Sequence, residues 1–247
     1  MTRRQYKTPP IREALCEFRF APGDDWDVTV IGKLHELVKG EYAGKARQQD
    51  QLTADLFVPH DGGAPSVAMN RSFERTQFPS ADGRVLLAVG RDVLSLHGFA
   101  PYEGWESFRH RIQVGLQRYT QVAAPAGVHR IGVRYVNQIA VSDFEISRYF
   151  RCAPQGVDGL PVELRGFVQR SEYSYEDGVR LIVTFASIRP DEQDIQPTFL
   201  LDVDVLREFA EPLSIDNAMA AVDTLRDRER DTFEALITDQ LREVFDA

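Results

Sequence analysis

Two short runs hold most of the side chains that could do chemistry. In "HRIGVRYVNQIAV", Arg130, Arg134 and Gln138 lie an even number of residues apart. In a strand they share one face, and Ile131, Val133, Tyr135, Ile139 and Val141 take the other. Guanidinium groups suit the recognition of phosphate or carboxylate. This stripe is the best candidate binding surface, with Arg165, Arg170 and Arg180 on possible neighbouring strands. The favoured expectation is plainer: cross-strand pairing of these arginines with Glu163 and Glu172. Asn137 is the odd residue of the apolar face, beside Tyr135. It satisfies a buried backbone group or marks a pocket. The candidate ligand or partner contacts are therefore Arg130, Arg134, Tyr135, Asn137 and Gln138.

"LLDVDV" puts Asp202 and Asp204 on one strand face, with Leu201, Val203 and Val205 on the other. Two such carboxylates could hold a divalent cation, which favours oxygen ligands. Asp191, Glu192 and Asp194 lie just upstream. The expectation adopted is a solvent-facing edge strand, charged to resist edge pairing. A metal-dependent nuclease would need a further Glu or Lys nearby, and the sequence places none.

Other chemistries lack their signatures. There is no GxGxxG after a strand, no GxxxxGK[ST], no HExxH and no GxSxG. No cofactor is called for. The histidines are scattered; His97 and His110 could approach each other, but capping and surface roles are the plainer expectation. Cys16 and Cys152 show no metal-ligand spacing, and Cys16 reads as a packed core residue.

The elements that must position these residues follow from periodicity. Ala14–Phe20 alternates as a first strand behind a stiff Pro9-Pro10 lead-in. That makes "YKTPP" the entrance to the sheet rather than an active-site lip. Asp24 or Asp25 can cap a helix carrying Val30, Ile31, Leu34, Leu37 and Val38. Strands follow in "QLTADLFVP", after an "HDGGAPS" turn in "SVAMNRSFERTQF", and in "RVLLAVGRDVLSLHG", a hairpin around Gly90–Asp92. Trp105, Phe108, Ile112, Leu116 and Tyr119 make one helical stripe. "APAG" then breaks the chain, dividing it into 1–125 and 126–247.

The second half repeats the pattern with the arginine strand, a short helix near Phe144–Phe150, and two long strands turning at Glu176–Gly178. The aspartate strand and a long helix to about Phe245 close it. "RDRERD" (Arg226–Asp231) reads as a solvated stretch of that helix. The expected fold class is α+β: an antiparallel sheet with helices on one face, in two β-α-β4-α-like halves. The arrangement resembles TATA-binding-protein-like and helix-grip topologies.

The chain has 247 residues and a net charge of −9, unevenly spread. Residues 1–125 hold 16 Lys and Arg against 15 Asp and Glu; residues 126–247 hold 13 against 23 and have no lysine. The acidic half argues against nucleic-acid binding there and suits a basic protein partner. With no signal-peptide segment or membrane-length apolar run, a soluble cytoplasmic protein is expected.

"PPIREALCEFRF", "GWESFRHRIQVGLQRY" leading into "HRIGVRYVNQIAV", and "TFEALITDQLREVF" together resemble a family of bacterial and archaeal proteins of about this length. That family is uncharacterised and sporadically distributed, with an N-terminal PPIxEA motif. The resemblance spans nearly the whole chain and implies one evolutionary unit. It supplies no catalytic residues. Sporadic occurrence implies an accessory or antitoxin-like component of a mobile or defence locus. The first functional expectation is a non-enzymatic, regulatory protein-interaction module. The alternatives are a small-molecule or nucleotide sensor, its ligand held between sheet and helices, and the nuclease.

Overall fold

The computed structural model describes residues 4–21, 23, 26–57, 66–154, 164, 166–188 and 196–246. The first half runs β1 (Ile11–Ala21), α1 (Thr29–Val38), β2 (Arg47–Phe57), β3 (Ser66–Pro79), β4 (Val85–Val89), β5 (Val93–Phe99) and α2 (Trp105–Ala123). The second runs β6 (Gly127–Ala140), α3 (Ile146–Tyr149), β7 (Val168–Ser174), β8 (Val179–Ile188), β9 (Thr198–Leu213), α4 (Ile215–Leu236) and α5 (Asp239–Asp246). The strands form one nine-stranded sheet in the order β2-β3-β4-β5-β1-β6-β9-β8-β7. Every neighbouring pair is antiparallel. Fold class α+β is thus what the chain adopts.

The halves join through β1 and β6, where Cys16 faces Val133 and Phe18 faces Ile131. Alternation sets which side each residue takes. Ala14, Cys16, Phe18, Ile131, Val133, Val203 and Val205 are fully or almost fully buried and form one core with the helices. On α2, Phe108, Ile112, Leu116 and Tyr119 pack against that face, as their helical spacing predicts. Gly115 permits a close approach, since a Cβ there would stand 2.9 Å from a Leu96 methyl. The other face of the sheet carries the charged and polar residues of the same strands.

The entry to α1 differs from the expectation. Asp24 and Asp25 lie outside the described residues, and Asp27 accepts the Thr29 backbone N–H at 2.6 Å. The "HDGGAPS" turn and the cluster Asp191, Glu192 and Asp194 also lie outside them.

After its short helix the second half has three strands among the described residues, the number the sequence names there. Two further expectations are corrected. The aspartate strand β9 is no edge: it sits between β6 and β8. The C-terminal helix is broken at Ile237, whose extended backbone bridges to Phe150. Thr238 then restarts it, its Oγ1 accepting the Leu241 N–H at 3.4 Å.

Candidate functional site

The residues singled out from the sequence fall on both sides of the sheet. Arg130, Arg134 and Gln138 lie on the helix-free face, whereas Tyr135 and Asn137 point to the helix side and are buried. They cannot form one contact surface.

The helix-free face neutralises its own arginines. Arg134 makes a two-pronged contact with Asp202, Nε to Oδ1 at 2.8 Å and Nη2 to Oδ2 at 2.6 Å. Glu17 sits among three guanidiniums: Arg19 at 3.0 Å, Arg75 at 3.2 Å and Arg130 at 3.1 Å. Burial raises the Glu17 carboxyl, and these arginines more than offset it, so its pKa ends below the ordinary value. Cross-strand pairing is therefore the fate of Arg130 and Arg134, with Glu17 and Asp202 as partners rather than Glu163 or Glu172. Glu172 pairs with Arg170 and Arg180, as expected of those two arginines, and Glu163 and Arg165 lie outside the described residues.

This geometry works against a cation site at Asp202 and Asp204. Asp202 is only 7 % exposed, and both its oxygens are taken by Arg134. The Asp204 carboxyl is pushed up to about 6 by burial, with Asp202 and Glu17 adding to the rise and Arg134 and Arg130 opposing it. Among the described residues no three potential ligand side chains cluster in a metal-binding arrangement.

One chain of hydrogen bonds on this face has the order of a hydrolase relay. Ser95 Oγ meets His97 Nε2 at 3.1 Å, and His97 Nδ1 meets Glu13 Oε1 at 2.7 Å. Ser95 is wholly buried, and Arg75 Nη1 donates to its Oγ at 3.3 Å. A nucleophile that no substrate can reach serves structure, satisfying the polar groups of a densely packed sheet face. His97 is on this face and α2 packs on the other, so His97 and His110 do not converge.

Among the described residues, room for a ligand is found on the helix side, where the two halves meet. A cavity of about 560 Å³ opens there. Tyr135 and Asn137 of β6 form its floor; Tyr102, Trp105 and the start of α2 one wall; Arg226, Glu229 and Phe233 of α4 the other. The N-terminal arm Arg4–Pro10 lies over its rim. The floor is tied to β9, where Asn137 Nδ2 donates to the Leu201 carbonyl at 3.1 Å. Asn137 thus does both things expected of it.

Arg226 dominates the wall. Its guanidinium stands 4.3 Å from the Tyr135 ring centre and 5.6 Å from that of Trp105, and it pairs with Glu229. Its Nε is buried without a hydrogen-bond partner. Burial pushes the Glu229 carboxyl up, and Arg226 and Arg230 pull it only part of the way back. The Tyr102 and Tyr135 hydroxyls meet at 2.9 Å, and burial pushes Tyr102 up to about 12. Both therefore stay protonated and neutral.

One reading is corrected here. "RDRERD" does pair Arg226 with Glu229 along the helix, but it is not simply a solvated stretch, because these two are among the least exposed charged side chains of the described residues. The signal was present: Ala218, Val222, Leu225, Glu229 and Phe233 follow one buried helical stripe, and Glu229 occupies a core position of it. "YKTPP" is the entrance to the sheet, as expected, and its residues also line the rim of the cavity. β1 begins at Ile11, the Gln138 N–H donates to the Pro10 carbonyl at 3.0 Å and the Thr8 N–H to the Phe245 carbonyl at 2.9 Å. Tyr6 adds a bond to Glu234 Oε1 at 2.7 Å and an edge contact to Phe245. These partners lie more than a hundred residues away, so nothing local announces them.

Comparison of the sequence with known protein families and with characterised proteins finds no match to either.

Proposed function

We propose that this protein binds a small molecule in the cavity between its halves, without transforming it. The ligand class that fits is a planar ring carrying an anionic group, a description that includes nucleotides. The carrying observation is Arg226, a cavity-lining cation held against the Tyr135 and Trp105 rings. The part of the Arg226 side chain that stays exposed can meet a ligand carboxylate or phosphate, and Tyr102 and Trp105 line the cavity beside it. The volume falls within the range of roughly 300–1,000 Å³ usual for such sites. A ligand held by both halves would favour one arrangement of them, the basis of a sensor. The strand order, with β1 and β6 central, β5 and β9 beside them and β2 and β7 outermost, supports a duplicated, TATA-binding-protein-like origin for this arrangement.

Tryptophan fluorescence tests the proposal. Trp26 and Trp105 are the only tryptophans, so Trp26→Phe leaves Trp105 as sole reporter. Titration with mononucleotides and with aryl carboxylates should give saturable quenching by at least one compound, weakened at least about tenfold by Arg226→Lys. Flat fluorescence and unchanged melting temperatures across both series would sink the reading for this ligand class.

A further inference from the structure

The outer strand β7 carries an inference independent of the cavity. It ends the sheet, pairing with β8 on one side and with no strand among the described residues on the other. Six of its seven residues are exposed, including Val168 at 78 % and Tyr173 at 56 %. Its pairing with β8 is regular from Val168 to Ser174, and the strand contains no proline or lysine. The bulges, prolines and lysines that ordinarily blunt an edge are missing from it.

The backbone fixes which of its groups point outward. The Tyr175 N–H bonds to the Val179 carbonyl, and the Ser187 N–H to the Phe167 carbonyl. In an antiparallel ladder these bonds alternate, so the odd-numbered residues turn their N–H and C=O groups to β8. Val168, Arg170, Glu172 and Ser174 therefore turn theirs to the open edge. A second antiparallel strand can accept them only in a register that sets even-numbered residues opposite one another.

Charge then selects among those registers. A two-fold interface pairs residue i with j and j with i. Centred on Ser171, it sets Arg170 opposite Glu172 of the second copy, twice. Shifting the centre one residue sets Arg170 against Arg170 or Glu172 against Glu172, and like charges facing each other are destabilising. Both side chains are about half exposed on the helix-free face, where Arg170 pairs with Glu172 and Glu172 with Arg180. A second copy continues this pairing into an alternating ladder across the junction.

We propose that two copies of this chain pair antiparallel through β7 about an axis at Ser171, joining their sheets into one. The junction forms about eight backbone hydrogen bonds. It sets Tyr173 opposite Gln169 and Val168 opposite Ser174 of the other copy.

Sedimentation equilibrium of the full chain over a concentration series up to about 100 μM tests this. The expected result is a monomer–dimer equilibrium weakened at least about tenfold by Arg170→Glu and by Glu172→Arg. The double variant Arg170→Glu/Glu172→Arg should regain the wild-type constant, because the swap restores opposite charges in the same register. A monomer throughout the series overturns the proposal. So does a dimer indifferent to either single change, or one that the double variant fails to restore.

Discussion

The Arg226 guanidinium stands 4.3 Å from the centre of the Tyr135 ring, joining the last long helix of the second half to the central strand of the sheet. Trp105 of the first half flanks the same guanidinium, and the Tyr135 hydroxyl reaches Tyr102. Nearby, Arg109 of α2 forks onto Asp223 of α4 at 2.7 and 2.8 Å. The seam between the halves is thus held by cations set against rings and carboxylates, with a cavity left among them.

Arg226 and Glu229 should behave as a unit. Arg226→Ala leaves the Glu229 carboxyl buried without its main partner and should cost about 3–5 kcal/mol. Glu229→Gln added to it should recover a good part of that loss. Urea denaturation of the two single variants and the double completes the cycle, and strict additivity would show that the two are not coupled.

Asp204 should make the protein less stable as pH rises. Its folded pKa of about 6 lies above the ordinary 3.8, so the folded state holds the proton more tightly. The stability it contributes is full below the ordinary value and is lost as pH climbs through 6. Asp204→Asn should therefore exceed the wild type by roughly 1–3 kcal/mol at pH 7.5, the gain shrinking toward pH 4. Denaturation midpoints of both proteins across that range check the sign.

Glu17 should act in the opposite sense. Its folded pKa lies below the ordinary carboxylate value, so its contribution is present above that value and lost as pH falls through the folded one. At neutral pH Glu17→Gln leaves Arg75, which is 8 % exposed, without one of its carboxylate partners. A loss of about 2–4 kcal/mol is expected. Stability measured by urea at pH 7 should fall, and the deficit relative to wild type should narrow in acid.

Tyr119→Phe isolates one hydroxyl. The ring stacks on Phe20 at 4.6 Å, and its hydroxyl donates to the Arg91 carbonyl at 2.9 Å in the β4–β5 turn. Removing only the oxygen should cost about 0.5–1.5 kcal/mol while leaving the packing intact. Tyr119→Ala should cost about 3–5 kcal/mol. Thermal unfolding of the two variants separates hydrogen bond from packing.

Local pattern was enough for most elements. The alternation from Ala14 to Phe20, the stripe from Trp105 to Tyr119 and the turn at Gly178 (φ 82°) depend on neighbours a few residues away, and those are written in order along the chain. Charge type was legible too: arginines on a strand met carboxylates. Which carboxylates they met was decided elsewhere. Setting β9 between β6 and β8 turned Asp202 from an expected edge residue into the buried partner of Arg134. Setting α4 over β6 turned Arg226 and Glu229 from apparent surface charges into the wall of a cavity. Docking the N-terminal arm on α5 made Tyr6 and the Pro9-Pro10 pair its rim. Sequence alone determined the periodic elements and the polarity of their faces, because sterics and alternation act over neighbouring residues. Only the tertiary structure decided strand order, desolvation and the cavity, because each depends on which distant residues exclude water from a side chain.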